Sequence, residues 1–245
     1  VCAYCHRFVG SLGSALRRSL ETAGAGHPQD FVDDPSFLDE LESDEWQLRE
    51  RVPCENGCGA VFCGADCSSA ANLEGWHRSL CTDLSPERRK VWPVFQRHAI
   101  RHHEQFIAAA KVMGEIISLV KYSGTDLWEA MAYFTRFAKM SWMNMLNLPS
   151  RSCTQAMPER GELAIMARAK REQRLEALTA SLELLSTMLW EKQFSELMTI
   201  DFYSNLIGQF SLSNVWVQIE HPLSERLRLR SGDEKFRHRF ERLVK

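Results

Sequence analysis

Seven of the eight cysteines lie in the first third of the chain and form close pairs, the last of them with a histidine. Two sulfurs separated by two or three residues can bind one metal ion, and a second pair completes tetrahedral coordination. Because Cys and His are the preferred ligands of structural zinc, four pairs predict two zinc ions. The pairs are Cys2 with Cys5, Cys54 with Cys58, Cys63 with Cys67, and His77 with Cys81.

Other cysteine-rich arrangements fit this pattern less well. An extracellular disulfide framework would not need close pairs followed by a histidine partner. The ligand order along the chain is six cysteines, one histidine and one cysteine. RING fingers place the histidine fourth and PHD fingers place it fifth, so neither order matches. Cys153 lies outside the pattern and is interpreted as a free thiol.

Residues 54–81 resemble a MYND zinc finger. As in that family, an aromatic residue, Phe62, precedes the fifth ligand, and Trp76 comes shortly before the histidine. The resemblance implies an interleaved pairing of the ligands. One zinc would be held by Cys2, Cys5, Cys63 and Cys67, and the other by Cys54, Cys58, His77 and Cys81.

Two features depart from the usual MYND pattern. The second pair has three intervening residues, and Gly57 accommodates the extra one because glycine can adopt positive φ. A long insertion, residues 6–53, separates the first two pairs, but the entropy of loop closure grows only logarithmically with length. Within it, the four-residue spacing of apolar side chains from Phe8 to Leu20 predicts a short helix.

The rest of this insertion is strongly acidic. Residues 28–50 contain nine acidic residues and one basic residue, Arg49. We predict a solvated, mobile acidic loop, and an acidic surface for basic peptides is the alternative.

Residues 83–197 have the pattern of a helical region. Ser85 before Pro86 predicts one helix start, Asp126 predicts another, and Ser123-Gly124 predicts a break between them. An apolar stripe with charge on the opposite face predicts a helix that packs against neighbouring helices, with a coiled-coil dimer as the alternative. The stripe consists of Leu175, Leu178, Leu182, Leu185 and Leu189.

Two other clusters in this region have structural interpretations. Three histidines at helical spacing lack a set of cysteine or carboxylate partners, so we do not assign a metal to them. Three methionines flank Trp142 and are interpreted as core residues that adapt to irregular space. The histidines are His98, His102 and His103, and the methionines are Met140, Met143 and Met145.

Residues 203–222 change from helical to alternating periodicity, which predicts a helix followed by a strand. The helix end Ile207-Gly208-x-Phe210, the following Asn214 and a strand that ends at Pro222 resemble SET-and-MYND protein-lysine methyltransferases. The resemblance is to their plant and algal trithorax-related members.

This resemblance implies that S-adenosylmethionine is the methyl donor of the parent protein. Asn214 is the candidate residue for holding it, with Ser213 as the alternative register. The family's Asn-His-Ser-Cys motif is absent from the 245 residues. Because the chain begins at Val1, one residue before a ligand, we expect a fragment of a longer methyltransferase that is inactive by itself.

The predicted fold is α+β and mostly helical: a two-zinc MYND cross-brace, a helical insertion, and the start of an incomplete SET β-core. The alternative function is a non-enzymatic MYND adaptor for proline-rich peptides, with Trp76 as the aromatic contact. The expected domains are 1–82 for the finger including the acidic insertion 6–53, 83–197 for the helical insertion, 198–222 for the partial SET core, and 223–245 for a basic tail.

Charge and hydropathy limit the partners. The formal net charge is −2, which excludes binding of polyanions by bulk charge. The tail, residues 223–245, has eight basic and four acidic residues, and we interpret it as an exposed basic helix rather than a nucleic-acid contact. No apolar run is long enough to span a bilayer. We therefore expect an intracellular protein, in the nucleus, the cytoplasm or both, with histones or other proteins as substrates of the parent.

Chelation of the predicted zinc ions should unfold residues 50–82. The binding free energy of a structural zinc site is on the order of 10–16 kcal/mol in finger peptides, and this energy is folding energy. We expect rapid proteolysis of this segment after treatment with a strong chelator, and protection when zinc is restored. An unchanged digestion pattern and circular dichroism spectrum after complete metal removal would contradict the prediction.

Overall fold

A computed structural model describes residues 1–22, 35–136, 140–147, 160–213 and 220–244. In these ranges the chain is mostly helical, as expected, with one antiparallel two-stranded sheet. The strands are β1 (Val52–Pro53) and β2 (Val61–Phe62). The helices are α1 (Leu12–Thr22), α2 (Pro35–Glu40), α3 (Ala65–Leu73), α4 (Gly75–His77), α5 (Pro86–Arg89), α6 (Val91–His102), α7 (Gln105–Ser123), α8 (Leu127–Phe134), α9 (Arg160–Leu189), α10 (Ile200–Ser213), α11 (Ser224–Arg230) and α12 (Glu234–Val244).

The chain divides into two compact units. Unit 1 comprises Val1–Ala70 with Val217–Lys245, and unit 2 comprises Ala71–Trp216. Residues from both ends of the chain therefore belong to unit 1.

The hydrophobic core of unit 1 contains residues from the acidic segment. Trp46 is completely buried, and its ring stacks on Phe236 of α12 at 5.5 Å between centroids. Phe37 of α2 meets the same Phe236 ring edge-on at 5.3 Å. The buried cluster consists of Leu12, Phe37, Leu38, Leu41, Trp46, Leu223 and Phe236.

The prediction of a solvated acidic loop is therefore wrong for residues 35–48. Along this segment the acidic residues lie between apolar ones. The apolar side chains are buried against α1 and the C-terminal helices. Arg17 lies 2.8 Å from both Asp39 and Glu42. Arg239 and Glu40 form a further ion pair at 2.8 Å. Each such pair near the surface contributes at most about 1 kcal/mol, so burial of the apolar side chains is the larger effect.

The interpretation of residues 223–245 as an exposed basic tail is also wrong in part. Leu223 and Phe236 lie in the core of unit 1, and the partly buried Phe240 packs against this core. Arg230 pairs with Glu45 at 3.4 Å. The basic residues of these helices thus partly neutralise the acidic segment, which leaves less of its charge for an external basic peptide.

In unit 2, the predicted helix signals are confirmed. The Ser85 side chain accepts a hydrogen bond from the backbone N–H of Arg88, and Asp126 accepts from the N–H groups of Trp128 and Glu129. Gly124 ends α7 with φ of 67°. The break after His102 was not predicted, because His103 follows without a glycine or proline.

The leucine stripe of α9 packs within unit 2, mainly against α6. Four of the five leucines are buried, from Leu178 to Leu189, whereas Leu175 is 45 % exposed. Intramolecular packing accounts for the buried part of the stripe, so the coiled-coil alternative lacks support in the described residues. None of the described helices is both long and apolar enough to cross a bilayer.

A short backbone strap, residues 140–142, lies directly on α10. A Cβ atom on Gly208 would overlap the Met140 carbonyl oxygen and would be 2.8 Å from the Trp142 nitrogen. The Ser141 and Ser204 hydroxyls are hydrogen bonded at 2.7 Å beside this crossing. Trp142 is buried, whereas the three methionines predicted to be core residues, Met140, Met143 and Met145, are only half-buried.

Gly208→Ala should lower the free energy of unfolding by about 1–3 kcal/mol, because the added methyl group overlaps the Met140 carbonyl. Helix propensity alone would favour alanine by about 1 kcal/mol, so the two effects have opposite signs. Urea denaturation measures the change. Asn205→Ala, at an exposed position of the same helix, should change stability by less than about 0.5 kcal/mol. A Gly208→Ala variant as stable as this control would contradict the close approach.

Candidate metal centres

Four cysteines of unit 1 converge at one point. The sulfurs of Cys2, Cys5, Cys63 and Cys67 all lie within 4.8 Å of one another. Cys5 and Cys63 are 3.6 Å apart, and Cys63 and Cys67 are 3.5 Å apart. Four sulfurs at about 2.3 Å from one zinc ion would stand about 3.8 Å apart at the corners of a tetrahedron. A disulfide would need about 2.05 Å, so these cysteines are free thiols spaced as metal ligands are.

A tight turn positions the first two ligands. The Cys2 N–H donates to the Arg7 carbonyl at 2.8 Å, and the His6 N–H donates to the Cys2 carbonyl at 3.0 Å. His6 has φ of 61°, a left-handed conformation that closes the turn. The Ala3 N–H donates to the Val61 carbonyl at 2.8 Å, which attaches the turn to β2.

Two thiols of this set, Cys2 and Cys67, have pKa values that are shifted in opposite directions. Burial raises the pKa of Cys2, but backbone N–H groups of Cys5, Tyr4 and Cys63 outweigh it and lower the pKa to about 6. The hydrogen bond with Cys63, together with burial, raises the pKa of Cys67 to about 12. Adjacent sulfurs cannot all ionise without a cation, and a dication would favour the thiolate at every position.

The small sheet positions the two middle pairs. β1 and β2 pair antiparallel, with Val52 opposite Phe62. The turn between them contains Gly57, whose N–H donates to the Cys54 carbonyl at 2.9 Å. Gly57 has φ of 68°, which confirms the conformation predicted for the extra residue. Cys63 directly follows β2, and Cys67 lies in the first turn of α3.

A second set contains three cysteines and one histidine. The ligand atoms of Cys54, Cys58, His77 and Cys81 lie within 4.8 Å of one another, and all four residues are buried. His77 ends α4, and the π-helical turn Arg78–Thr82 carries Cys81. His77 Nδ1 is 3.2 Å from the Ala71 carbonyl oxygen. Donation from Nδ1–H to this carbonyl would select Nε2 as the metal ligand, the arrangement usual for zinc-bound histidines.

The structure thus groups the eight residues into the same two sets that the resemblance implied. Each set supplies four donors of the types that zinc prefers, with distances that suit a tetrahedral site. Both sets could hold a zinc ion. In the described part of the chain, no further group of three or more His, Cys, Asp or Glu side chains has this spacing.

Other residues singled out in the sequence do not join these sets. The centroids of the His98 and His102 rings are 4.5 Å apart, but His98 Nε2 contacts the Ala177 carbonyl oxygen at 2.9 Å, which is a structural contact. Ser213 is the exposed last residue of α10. Asn214, Cys153 and the strand predicted after Asn214 lie outside the described residues.

Trp76 is half-buried beside the second set. Its ring meets His77 edge-on at 5.6 Å, and Lys111 Nζ of α7 lies 4.5 Å from its centroid. Burial raises the pKa of the nearby Glu115 carboxyl, and a hydrogen bond from the Trp76 backbone N–H opposes the rise. The sequence does not distinguish Lys111 and Glu115 from ordinary charged residues of a helix, because only the fold brings them to Trp76.

Comparison with known proteins identifies one distant relative. The chain is 24 % identical over 278 aligned positions to histone-lysine N-methyltransferase ATXR2 of Arabidopsis thaliana. The alignment covers 92 % of the chain and 57 % of the relative, so the chain spans little more than half of that protein's length. The chain is therefore a distant relative of a histone-lysine methyltransferase.

No protein-family model matches the chain, and no solved structure matches it. The expected relationship to methyltransferases is thus confirmed at the level of distant similarity. The MYND identity of the finger and the domain boundaries stay predictions.

Removal of one ligand from each set should remove one zinc ion. Cys67→Ser and Cys58→Ser should each lower the zinc content from two ions per chain to one, because serine lacks the thiolate that binds the metal. Elemental analysis of the purified variants measures this. Cys153→Ser should retain both ions, and the double variant C58S/C67S should retain none. Two ions in either single variant would contradict the grouping.

Proposed function

We propose that this chain is the zinc-finger and helical part of a SET-type protein-lysine N-methyltransferase. The observation that carries the proposal is the relative's alignment over 92 % of the chain, because it includes the helical region as well as the finger. The two ligand sets add a second, independent feature, since their order and pairing resemble a MYND finger.

Zinc in this protein would stabilise structure rather than catalyse. Each set provides four protein ligands, so a tetrahedral ion would have no open position for water or substrate. Cys2, Cys5, Cys63 and Cys67 would hold one ion, and the set with His77 would hold the other. The finger would then present a rigid surface for protein partners, and proline-rich peptides are the expected class of partner.

In the proposed parent protein, S-adenosylmethionine would supply the methyl group. Transfer to a lysine amine is an in-line displacement that needs the amine and the methyl carbon aligned at about 3 Å. The residues expected to build that channel belong to the Asn-His-Ser-Cys segment and a later tyrosine, and this sequence contains no Asn-His-Ser-Cys. Asn214 would contribute one contact to the methyl donor, and a single asparagine cannot form a pocket.

The substrate and location follow from the same proposal. Histones are the proposed substrate class, because the relative is named a histone-lysine methyltransferase. A histone substrate would place the parent protein in the nucleus for at least part of its time.

The isolated chain should transfer no methyl group. With labelled S-adenosylmethionine and mixed histones, we expect incorporation equal to the control without protein, because the groups that align the amine are missing. Incorporation above that control would contradict the inactivity of the chain.

The full transcript tests the proposed family directly. It should encode an Asn-His-Ser-Cys segment and a downstream tyrosine within about a hundred and fifty residues after Lys245, where the methyl-transfer geometry would be completed. A transcript without them would favour the non-enzymatic adaptor.

A further inference from the structure

Helix α7 carries three residues that touch the segment with His77 and Cys81. Lys111, Gly114 and Glu115 share one face of the helix, because positions three and four apart are neighbours. All three contact residues between Gly75 and Leu80. The segment from Gly75 to Cys81 supplies two of the four ligands in the second set, His77 and Cys81.

Gly114 allows the helix to approach closely. A Cβ atom at this position would be 3.0 Å from the Leu80 Cγ and 3.2 Å from the Trp76 carbonyl oxygen. Leu80 is almost fully buried, and Cys81 follows it directly. The backbone of the ligand segment therefore lies against α7 with no space for a larger residue.

Glu115 contacts the start of the same segment. Its Oε2 atom is 3.3 Å from the position that a Cβ atom on Gly75 would occupy. Its carboxylate accepts a hydrogen bond from the backbone N–H of Trp76. A helix as short as α4 leaves its N–H groups without intrahelical partners, so a side chain from another element can accept hydrogen bonds from them.

Gly75 and Lys111 complete the arrangement around Trp76. Gly75 has φ of 73°, which turns the chain into α4. The ammonium group of Lys111 lies over the Trp76 ring, and such a cation–π contact stabilises the position of the ring. Trp76 is thus held by its backbone through Glu115 and by its ring through Lys111.

We propose that Glu115 is a positioning residue for the second metal site: through the Trp76 amide it holds the turn that presents His77 and Cys81. This inference rests on the proposed zinc binding and extends it beyond the ligands. Outer-shell partners that orient a ligand typically contribute 10- to 100-fold in metal affinity, which is about the loss expected without Glu115.

The test compares metal affinities of three variants of the complete chain. Glu115→Ala should weaken one of the two zinc sites by about 10- to 100-fold in competition with a chromophoric chelator. Glu115→Gln should retain most of the affinity, because the amide oxygen still accepts the Trp76 N–H. Glu104→Ala changes an exposed glutamate immediately before α7, and its zinc affinities should match those of the wild type.

Cobalt substitution identifies which site is weakened. A site of three sulfurs and one imidazole absorbs at different wavelengths from a site of four sulfurs. Only the bands of the site with His77 should need more cobalt in Glu115→Ala. If that variant does not fold, Glu115→Asp replaces it, because its shorter carboxylate would not reach the Trp76 amide.

Three results would overturn the inference. A Glu115→Ala variant with wild-type affinity at both sites would overturn only the positioning role of Glu115 and would leave the zinc assignment intact. Equal weakening of both sites with loss of helical circular dichroism would indicate general destabilisation instead of positioning. A wild-type chain that binds fewer than two ions would overturn the zinc assignment, and this inference with it.

Discussion

The N-terminal region depends on the gathering of thiols into two small groups. Four sulfurs within 4.8 Å of one another cannot all carry a negative charge unless a cation lies among them. The contrast between Cys2, with a pKa of about 6, and Cys67, with a pKa of about 12, shows this conflict within one set. The strands β1 and β2 have only two residues each and are too short to be stable without other support. Ligand geometry is therefore the constraint to which the turns and strands conform.

Unit 1 also contains a conventional hydrophobic core, at a distance in sequence from the ligands. The aromatic contacts of Phe236 with Trp46 and Phe37 join the C-terminal helices to the acidic segment. Arg17, Arg230 and Arg239 neutralise part of the surrounding acidic charge. A segment that is acidic in composition thus serves as a structural connection, because its few apolar residues determine where it packs.

The metal centres and the proposed methyl transfer have separate roles. Zinc sites with four protein ligands have no position for a reactant, so their contribution is to folding and to the presentation of a surface. Catalysis in the proposed family needs a pocket for S-adenosylmethionine, and the finger does not supply it. The distant similarity to a histone-lysine methyltransferase extends over the helical region as well as the finger.

The amino-acid sequence by itself determined the features that depend on neighbouring residues. The ligand spacing, the caps at Ser85 and Asp126, and the positive φ of Gly57 are all local properties, and the structure contains each of them. Helical content followed from periodicity for the same reason. The assignment of ligands to two interleaved sets needed the family resemblance, since spacing alone permits other pairings.

Only the tertiary structure decided which surfaces are covered. It buried Trp46 beneath Phe236, left Leu175 exposed at the end of its stripe, and placed the Met140 carbonyl on Gly208. It also brought Glu115 to the Trp76 amide. The contacts join residues that are far apart in the chain, and the exposure of Leu175 depends on where a neighbouring helix ends. A local pattern reports that a face is apolar or that a glycine is present, but the partner that covers it is set by packing of the whole unit.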